Sequence, residues 1–332
     1  MIVLRVTCAS VIVVALAACG GGHHATKNGS ASTSPSTAGP SAPLTINPLT
    51  GGKPSNNPVV AVKIDDTANG RPQVGIDAAD IVYIEQAEGG LTRLLAVYAT
   101  RLPTVEAVRS TRVGDPELAA QYGPIAYVAS GGAKGPLAAL DASPLRSDIS
   151  ERGGAGFARD PNRPVPYNLT ADLGAIAAKL KSPKAKSIGL TWSVPTANSP
   201  VRPGTVVRTT VGGTPVSFEW NAKLHRYARV IGGEVQNAAD GKAITTPNVV
   251  VQFCSVTTNF GDIDQAGNPA KVTHTVGTGA VSVFRGGHRI DGTWTRPALT
   301  AGTHLKDAHG KPIALAPGGA WFVLVATGTP LN

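Results

Sequence analysis

The side chains best suited to chemistry in this chain are carboxylates and guanidiniums in its first half. Asp65 and Asp66 directly follow the apolar run Val59–Ile64. Their carboxylates therefore fall at a strand end, which is where α/β sheets bind ligands. Arg71, Arg93, Arg109 and Arg112 occupy loop or strand-edge positions, and Val108-Arg-Ser-Thr-Arg112 sets two guanidiniums and two hydroxyls side by side. The guanidinium fork matches phosphate and carboxylate in paired bonds. If these arginines converge they make an anion pocket. If Asp65 or Asp66 joins them, a divalent cation such as Mg2+ could bridge to a phosphate. The plainer alternative is solvated strand ends carrying surface ion pairs worth about 1 kcal/mol or less.

Two further spots are dense in polar groups. Glu85-Gln-Ala-Glu-Gly-Gly-Leu-Thr-Arg93 offers Glu85 and Glu88 as a carboxylate pair, or simply a turn with an ion pair to Arg93. Gly131-Gly-Ala-Lys-Gly135 follows an apolar run and could present backbone N–H groups to phosphate at a helix start. It lacks the Gly-Lys-Ser/Thr ending of a phosphate loop. Residues 57–200 contain no histidine and no cysteine, since the histidines fall at 23, 24, 225, 274, 288, 304 and 309. A Ser-His-Asp or Cys-His arrangement, or a histidine zinc site, cannot be assembled from that region alone. No catalytic residue is assigned, and no cofactor is expected apart from the Mg2+ of the bridging case.

The elements that must position these groups can be read from periodicity. Val59–Ile64 and Asp80–Ala87 read as inner strands. Arg93–Thr100 and Thr104–Arg109 flank Arg-Leu-Pro and suggest a hairpin. Asp115-Pro116 opens a helix through Tyr122, with Asp115 as its N-cap. Pro124–Ser130 is a strand, and a helix through Leu140 follows it. Thr170 caps a helix whose Leu173, Ile176, Ala177 and Leu180 share one face. Residues 141–169 read as a long polar loop. From about Pro203 the pattern turns to strands: 205–211 with 216–220 as a hairpin, then 225–231, 249–256, 271–276, 280–285 and 320–326. Asp240-Gly241, Gly286-Gly287 and Asp291-Gly292 supply turns. Cys254, in Val-Val-Val-Gln-Phe-Cys, reads as a small buried hydrophobe, and Trp220, Trp294 and Trp321 as packing aromatics. The expected fold class is an α/β (or α+β) N-terminal domain, residues 57–200, followed by a mainly β domain, 201–332.

The first residues carry an address. Arg5 precedes an apolar stretch from Val6 to Ala18, the layout of a secretion signal. At about 13 residues it is too short for a hydrocarbon core that needs roughly 20. Leu16-Ala-Ala-Cys19-Gly resembles the lipobox of bacterial lipoproteins. That resemblance implies a signal peptide over 1–18, cleavage before Cys19 and acyl chains such as palmitate on its sulfur. Residues 19–56, rich in Gly, Ser, Thr, Ala and Pro, read as a lipid-bearing tether. The expected place is the outer face of a bacterial cytoplasmic membrane. Lys and Arg total 30 against 21 Asp and Glu, a net charge of +9, which suits anionic headgroups or wall polymers. Nucleic acid is not expected as a partner in that compartment.

Several phrases resemble the YerB-like bacterial envelope lipoproteins. They are Asn57-Pro-Val-Val-Ala-Val-Lys-Ile-Asp65, Ala68-Asn-Gly-Arg-Pro-Gln-Val-Gly75, Glu88-Gly-Gly-Leu-Thr-Arg-Leu-Leu-Ala96 and Val108-Arg-Ser-Thr-Arg112. Later come Asn248-Val-Val-Val-Gln-Phe253, Gly292-Thr-Trp-Thr-Arg296 and Pro317-Gly-Gly-Ala-Trp321. The resemblance implies paired domains of unknown function and names no activity. Members often read Pro-His-Asn-Leu where this chain has Pro166-Tyr-Asn-Leu169, which argues against an essential base there. A looser similarity is to LytR-CpsA-Psr proteins, which move glycopolymers from pyrophosphate-linked lipids with arginines, acidic residues and magnesium. Under it Arg93, Arg109, Arg112, Asp65 and Asp66 would serve a metal-assisted transferase. The leading expectation is a binding or scaffolding lipoprotein for anionic wall or envelope ligands, with Arg71, Arg93, Arg109 and Arg112 as its site. A purely structural partner of another envelope protein is the third reading.

Overall fold

A computed structural model describes residues 45–194, 202–264 and 266–332. The leader, Cys19 and the first part of the tether lie outside the described residues. The chain forms β1 (Val60–Asp65), β2 (Ile81–Gln86), β3 (Thr92–Tyr98), β4 (Thr104–Glu106), α1 (Asp115–Ala119), β5 (Ala126–Ala129), α2 (Lys134–Asp141), β6 (Arg146–Ile149), β7 (Phe157–Arg159), β8 (Leu169–Asp172) and α3 (Leu173–Lys179). There follow β9 (Arg202–Pro203), β10 (Val206–Val211), β11 (Thr214–Asn221), β12 (Arg226–Ile231), β13 (Glu234–Val235), β14 (Thr245–Thr246), β15 (Asn248–Cys254), β16 (Val256–Ile263), β17 (Pro269–Thr273), β18 (Gly277–Arg285), β19 (His288–Arg296), β20 (His304–Asp307) and β21 (Ala320–Ala326).

One large mixed sheet runs β20-β19-β18-β15-β21-β2-β3-β1-β5-β6. β2 lies parallel to β21, with Val82 opposite Trp321 and Ile84 opposite Val323. The first half and the second half of the chain therefore share one ladder, and Leu44–Asn332 is a single compact unit. The central strands are apolar on both sides because both faces are covered. Alternation sorts their side chains. Val60, Val62 and Ile64 join Leu94, Val249, Val323 and Phe218 in one core, beneath the small sheet of β10–β14. Ala61, Tyr83, Leu95, Tyr127, Trp294 and Phe322 form the core on the opposite face, against α1.

The structure revises several expectations. Residues 45–56, assigned to the tether, pack on the body: Leu49 is buried, Asn47 Nδ2 donates to Thr100 Oγ1 at 3.1 Å, and Trp192 Nε1 donates to Pro48 O at 3.0 Å. Residues 93–100 and 104–109 make no hairpin. β3 lies between β1 and β2, while β4 pairs β8. The helix at 173 is capped by Asp172, whose Oδ1 accepts from Ala175 N at 3.0 Å, and Thr170 belongs to β8. The long polar segment 141–169 contains β6 and β7. Asp291-Gly292 is mid-strand in β19, not a turn. A Cβ at Gly292 would overlap the carbonyl oxygen of Lys306 on β20, so this glycine permits close strand approach.

Candidate functional site

The C-terminal ends of β1 and β2 and the start of β3 meet at one place. Period two puts Lys63 and Asp65 on the face that carries Ala61 and Tyr127, and Asp65 sits opposite Arg93 in register. Asp65 is fully buried. Its Oδ1 accepts from Thr67 N and Thr67 Oγ1, both at 2.6 Å. Its Oδ2 lies 2.9 Å from Arg109 Nε and 3.7 Å from Arg93 Nη2. Arg109 Nε–H does not point at that oxygen and Arg93 Nη2 stands beyond hydrogen-bond reach of it, and neither Arg109 Nε–H nor Arg93 Nε–H closes a hydrogen bond among the described residues. Burial pulls Arg93 below its ordinary value, with the Asp65 charge opposing. Arg109 rests its guanidinium 5.4 Å from the centre of the Tyr167 ring, a cation–π contact. Arg112 Nε donates to Glu88 Oε2 at 2.7 Å.

These arginines line a cleft of about 640 Å³. Its walls include Ser110 and Thr111, Gly132 and Ala133 before α2, Glu151, and Asp262, Ile263 and Asp264 from β16 and the turn after it. Gly131 has no room for a side chain because the Glu151 carboxylate occupies the position of a Cβ. Arg93, Arg109 and Arg112 thus line one cleft, and Arg71 does not. Arg71 Nη1 donates to Asp66 O at 3.0 Å and lines a different hollow of about 500 Å³ with Arg208 and Arg229.

Asp66 faces the other side of the sheet. Its Oδ2 accepts from Arg229 Nη2 and Thr92 Oγ1, both at 2.7 Å. Consecutive residues of an extended chain cannot present side chains to one face, so Asp65 and Asp66 do not form a joint metal site. Asp65 is closed by Thr67 and two guanidiniums, and no group of three or more His, Cys, Asp or Glu converges among the described residues. The residues do not fit the bridging Mg2+.

Beneath the cleft floor lies a network that sequence reasoning missed. Lys63 Nζ is fully buried and donates to Glu85 Oε1 and, at 2.7 Å, to Asp115 Oδ1. Asp115 Oδ2 accepts from Tyr127 OH at 2.7 Å, Arg112 N at 2.7 Å and Thr111 Oγ1 at 3.2 Å. Asp115 was expected as a cap; here it ties the Thr111 hydroxyl and the Arg112 backbone N–H to Lys63 of β1. Burial and the nearby Asp115 push Glu85 up to about 8. Asp115 is held below its ordinary value by Lys63 and its hydrogen bonds, which outweigh desolvation. Glu85 is enclosed with Lys63 while Glu88 pairs with Arg112, so the two glutamates do not act as a pair on one ligand. The available signal was Lys63 itself, an ammonium in an otherwise apolar inner strand.

The expected packing roles hold elsewhere. Cys254 is buried and its thiol is pushed up to about 12 by desolvation. Trp294 and Trp321 are buried, and Trp220 packs on Tyr227 at 5.0 Å between ring centres.

Comparison with known proteins gives consistent matches. Family models described as the N-terminal and C-terminal domains of a protein of unknown function (DUF3048) match residues 44–186 and 206–322. The Bacillus subtilis (strain 168) protein named "Putative lipoprotein YerB" is 27% identical over 277 residues, covering 80% of each chain. The crystal structure of YerB protein from Bacillus subtilis superposes with a TM-score of 0.72 at 24% identity, over 86% of this chain and 99% of the other.

Proposed function

This chain belongs to the DUF3048 family, through both its N- and C-terminal domains, and on that footing we propose that it is a membrane-anchored envelope lipoprotein that binds an anionic group of a wall or envelope ligand. The observation that carries the binding reading is the meeting of Arg93, Arg109 and Arg112 in one cleft. There Arg93 is 5% exposed, and its Nε–H has no partner among the described residues. A buried donor without a partner costs about 1–3 kcal/mol, and a ligand oxygen would recover it. The anchoring reading rests on the lipobox-like Leu16-Ala-Ala-Cys19 and on the lipoprotein name of the Bacillus relative. It places the body outside the cytoplasm with the tether between Cys19 and residue 45. Lys63, Glu85 and Asp115 serve as positioning residues that hold the 109–112 segment.

Equilibrium binding of the full-length protein to inorganic phosphate and to poly(glycerol phosphate) wall polymer tests the reading. The Arg109→Ala/Arg112→Ala protein is expected to lose at least tenfold in affinity for both. Equal binding by that variant removes this cleft as the site. Labelled palmitate should enter the wild-type chain and not Cys19→Ala; label retained in Cys19→Ala removes the anchor.

A further inference from the structure

Arg71 and Arg229 line a second hollow, of about 500 Å³, on the Asp66 side of the large sheet. It opens where the β11–β12 ladder stops at Ser217 and Val230, so that Thr214–Val216 and Ile231–Gly233 wall it without pairing each other. Alternation places Arg229, Val216 and Ile231 on one face of the small sheet. Arg229 is 3% exposed, with its guanidinium 5.2 Å from the centre of the Trp321 ring. Its Nη2 donates to Asp66 Oδ2 at 2.7 Å, while Arg71 Nη1 donates to Asp66 O at 3.0 Å. Both guanidiniums are therefore anchored on one residue and held beside one another. Asp66 offers them a single negative charge and does not itself line the hollow. Arg208 is paired with Glu219 at 2.9 Å, which leaves an excess of one positive charge. Arg229 Nη1 is buried and has no hydrogen-bond partner among the described residues, a costly state for a charged donor. Burial pulls Arg71 below its ordinary value, with Asp66 opposing and the Arg229 charge adding to the pull.

Independently of the Arg93, Arg109 and Arg112 cleft, we propose that this hollow binds a terminal carboxylate, held between the guanidiniums of Arg71 and Arg229. Its one negative charge matches the positive charge that Asp66 leaves uncompensated. A phosphate monoester, at about −1.5 to −2 near pH 7, would overcharge a pair that is mostly covered. A phosphodiester is singly charged but must lead a chain away from both sides of its phosphorus. A carboxylate ends its chain, so it can enter end-on towards the covered Arg229. Guanidinium forks take its two oxygens in parallel bonds. Val216 and Ile231 offer apolar wall to the carbon behind it.

The test is calorimetric titration of the full-length protein with acetate and with inorganic phosphate at pH 7. It is made in the Arg109→Ala/Arg112→Ala background, where the first cleft does not contribute. One equivalent of acetate is expected to bind, at least threefold tighter than phosphate. Adding Arg71→Gln, at a half-buried loop position, should weaken acetate at least tenfold while the urea midpoint stays close to that of the parent. Arg229→Lys keeps a cation on Asp66 but loses the second nitrogen, and should weaken acetate by as much. Acetate that fails to saturate in this background, or that binds equally after Arg71→Gln, overturns the site. Phosphate binding tighter than acetate overturns the carboxylate assignment. Neither result touches the first cleft, whose reading stands or falls with the loss of phosphate affinity in Arg109→Ala/Arg112→Ala.

Discussion

Replacing Lys63 with methionine should destabilise the protein by an amount that depends on pH. Lys63 sits in β1 with no exposed surface, bonded to Glu85 and Asp115. Methionine fills most of its volume, so little of the effect comes from packing. What remains is two buried carboxyl groups that also touch one another. Removing one partner of a buried ion pair costs about 3–5 kcal/mol when the charge left behind stays ionised. Below about pH 8 Glu85 carries a proton in both proteins, so the charge left behind there is that of Asp115 alone. The wild type has its own slope. Glu85 ordinarily titrates at 4.5 and is raised to about 8 in the folded state. Between these values the native chain holds a proton that the unfolded chain has released. Stability from this group therefore falls as pH rises from about 4.5 to about 8, by at most about 1.4 kcal/mol per pH unit. In Lys63→Met, whose Glu85 is raised further, that slope is shared with the wild type up to about pH 8, so the loss relative to wild type should be nearly constant from about pH 5 to about pH 7 and grow above about pH 8, by at most about 1.4 kcal/mol per pH unit. Urea unfolding followed by fluorescence of the buried Trp294 and Trp321 measures both. A penalty under about 1 kcal/mol near pH 7, or a penalty no larger at about pH 9.5 than near pH 7, refutes the assignment of Lys63 as the neutralising charge.

Other outcomes follow from single contacts. Arg296 is fully buried and donates to Thr275 Oγ1 at 2.9 Å, Glu117 O at 2.6 Å, Leu299 O at 2.5 Å and Ala301 O at 3.1 Å; Arg296→Ala should cost about 3 kcal/mol or more, read by the urea midpoint, because four acceptors lose their donor. Gly292→Ala should lose about 1–3 kcal/mol by forcing β19 from β20, and unchanged thermal stability would show that the strands separate freely. Cys254, with its thiol pushed up to about 12, should resist a thiol reagent at pH 8 in the native state and react on unfolding.

Local signals in the sequence reached about as far as local physics does. The strands at 60–65, 81–86 and 320–326 are legible because they are apolar, β-branched and bounded by turns. The meeting of Arg93 with Arg109 and Arg112 is legible as a concentration of one side-chain type. The separation of Asp65 from Asp66 was present in the alternation of β1 and required only that period two be applied to neighbours. The placement of Arg71 was not, because its direction depends on the carbonyl of Asp66 beside Arg229, a residue of the second half. The false hairpin after β3 arose from a turn signal that long-range pairing overrode: β3 found β1 and β2 instead. Asp262 reaches the cleft from more than 150 residues away in sequence. No spacing rule reports such a contact. Asp115 was recognised as a helix-start residue, yet its buried ion pair with Lys63 belongs to the sheet packing.

The position of β21 bears on how the molecule is made. A strand near residue 320 lies between β15 and β2, in the interior of the large sheet. During synthesis the N-terminal portion emerges first and offers the β2 edge, Ile-Val-Tyr-Ile, with nothing to pair against. An open apolar edge is a template for unwanted association. Closure of the sheet has to wait for about 230 further residues, so the new chain passes through a long interval in which an escort that shields that edge would raise the yield of folded protein.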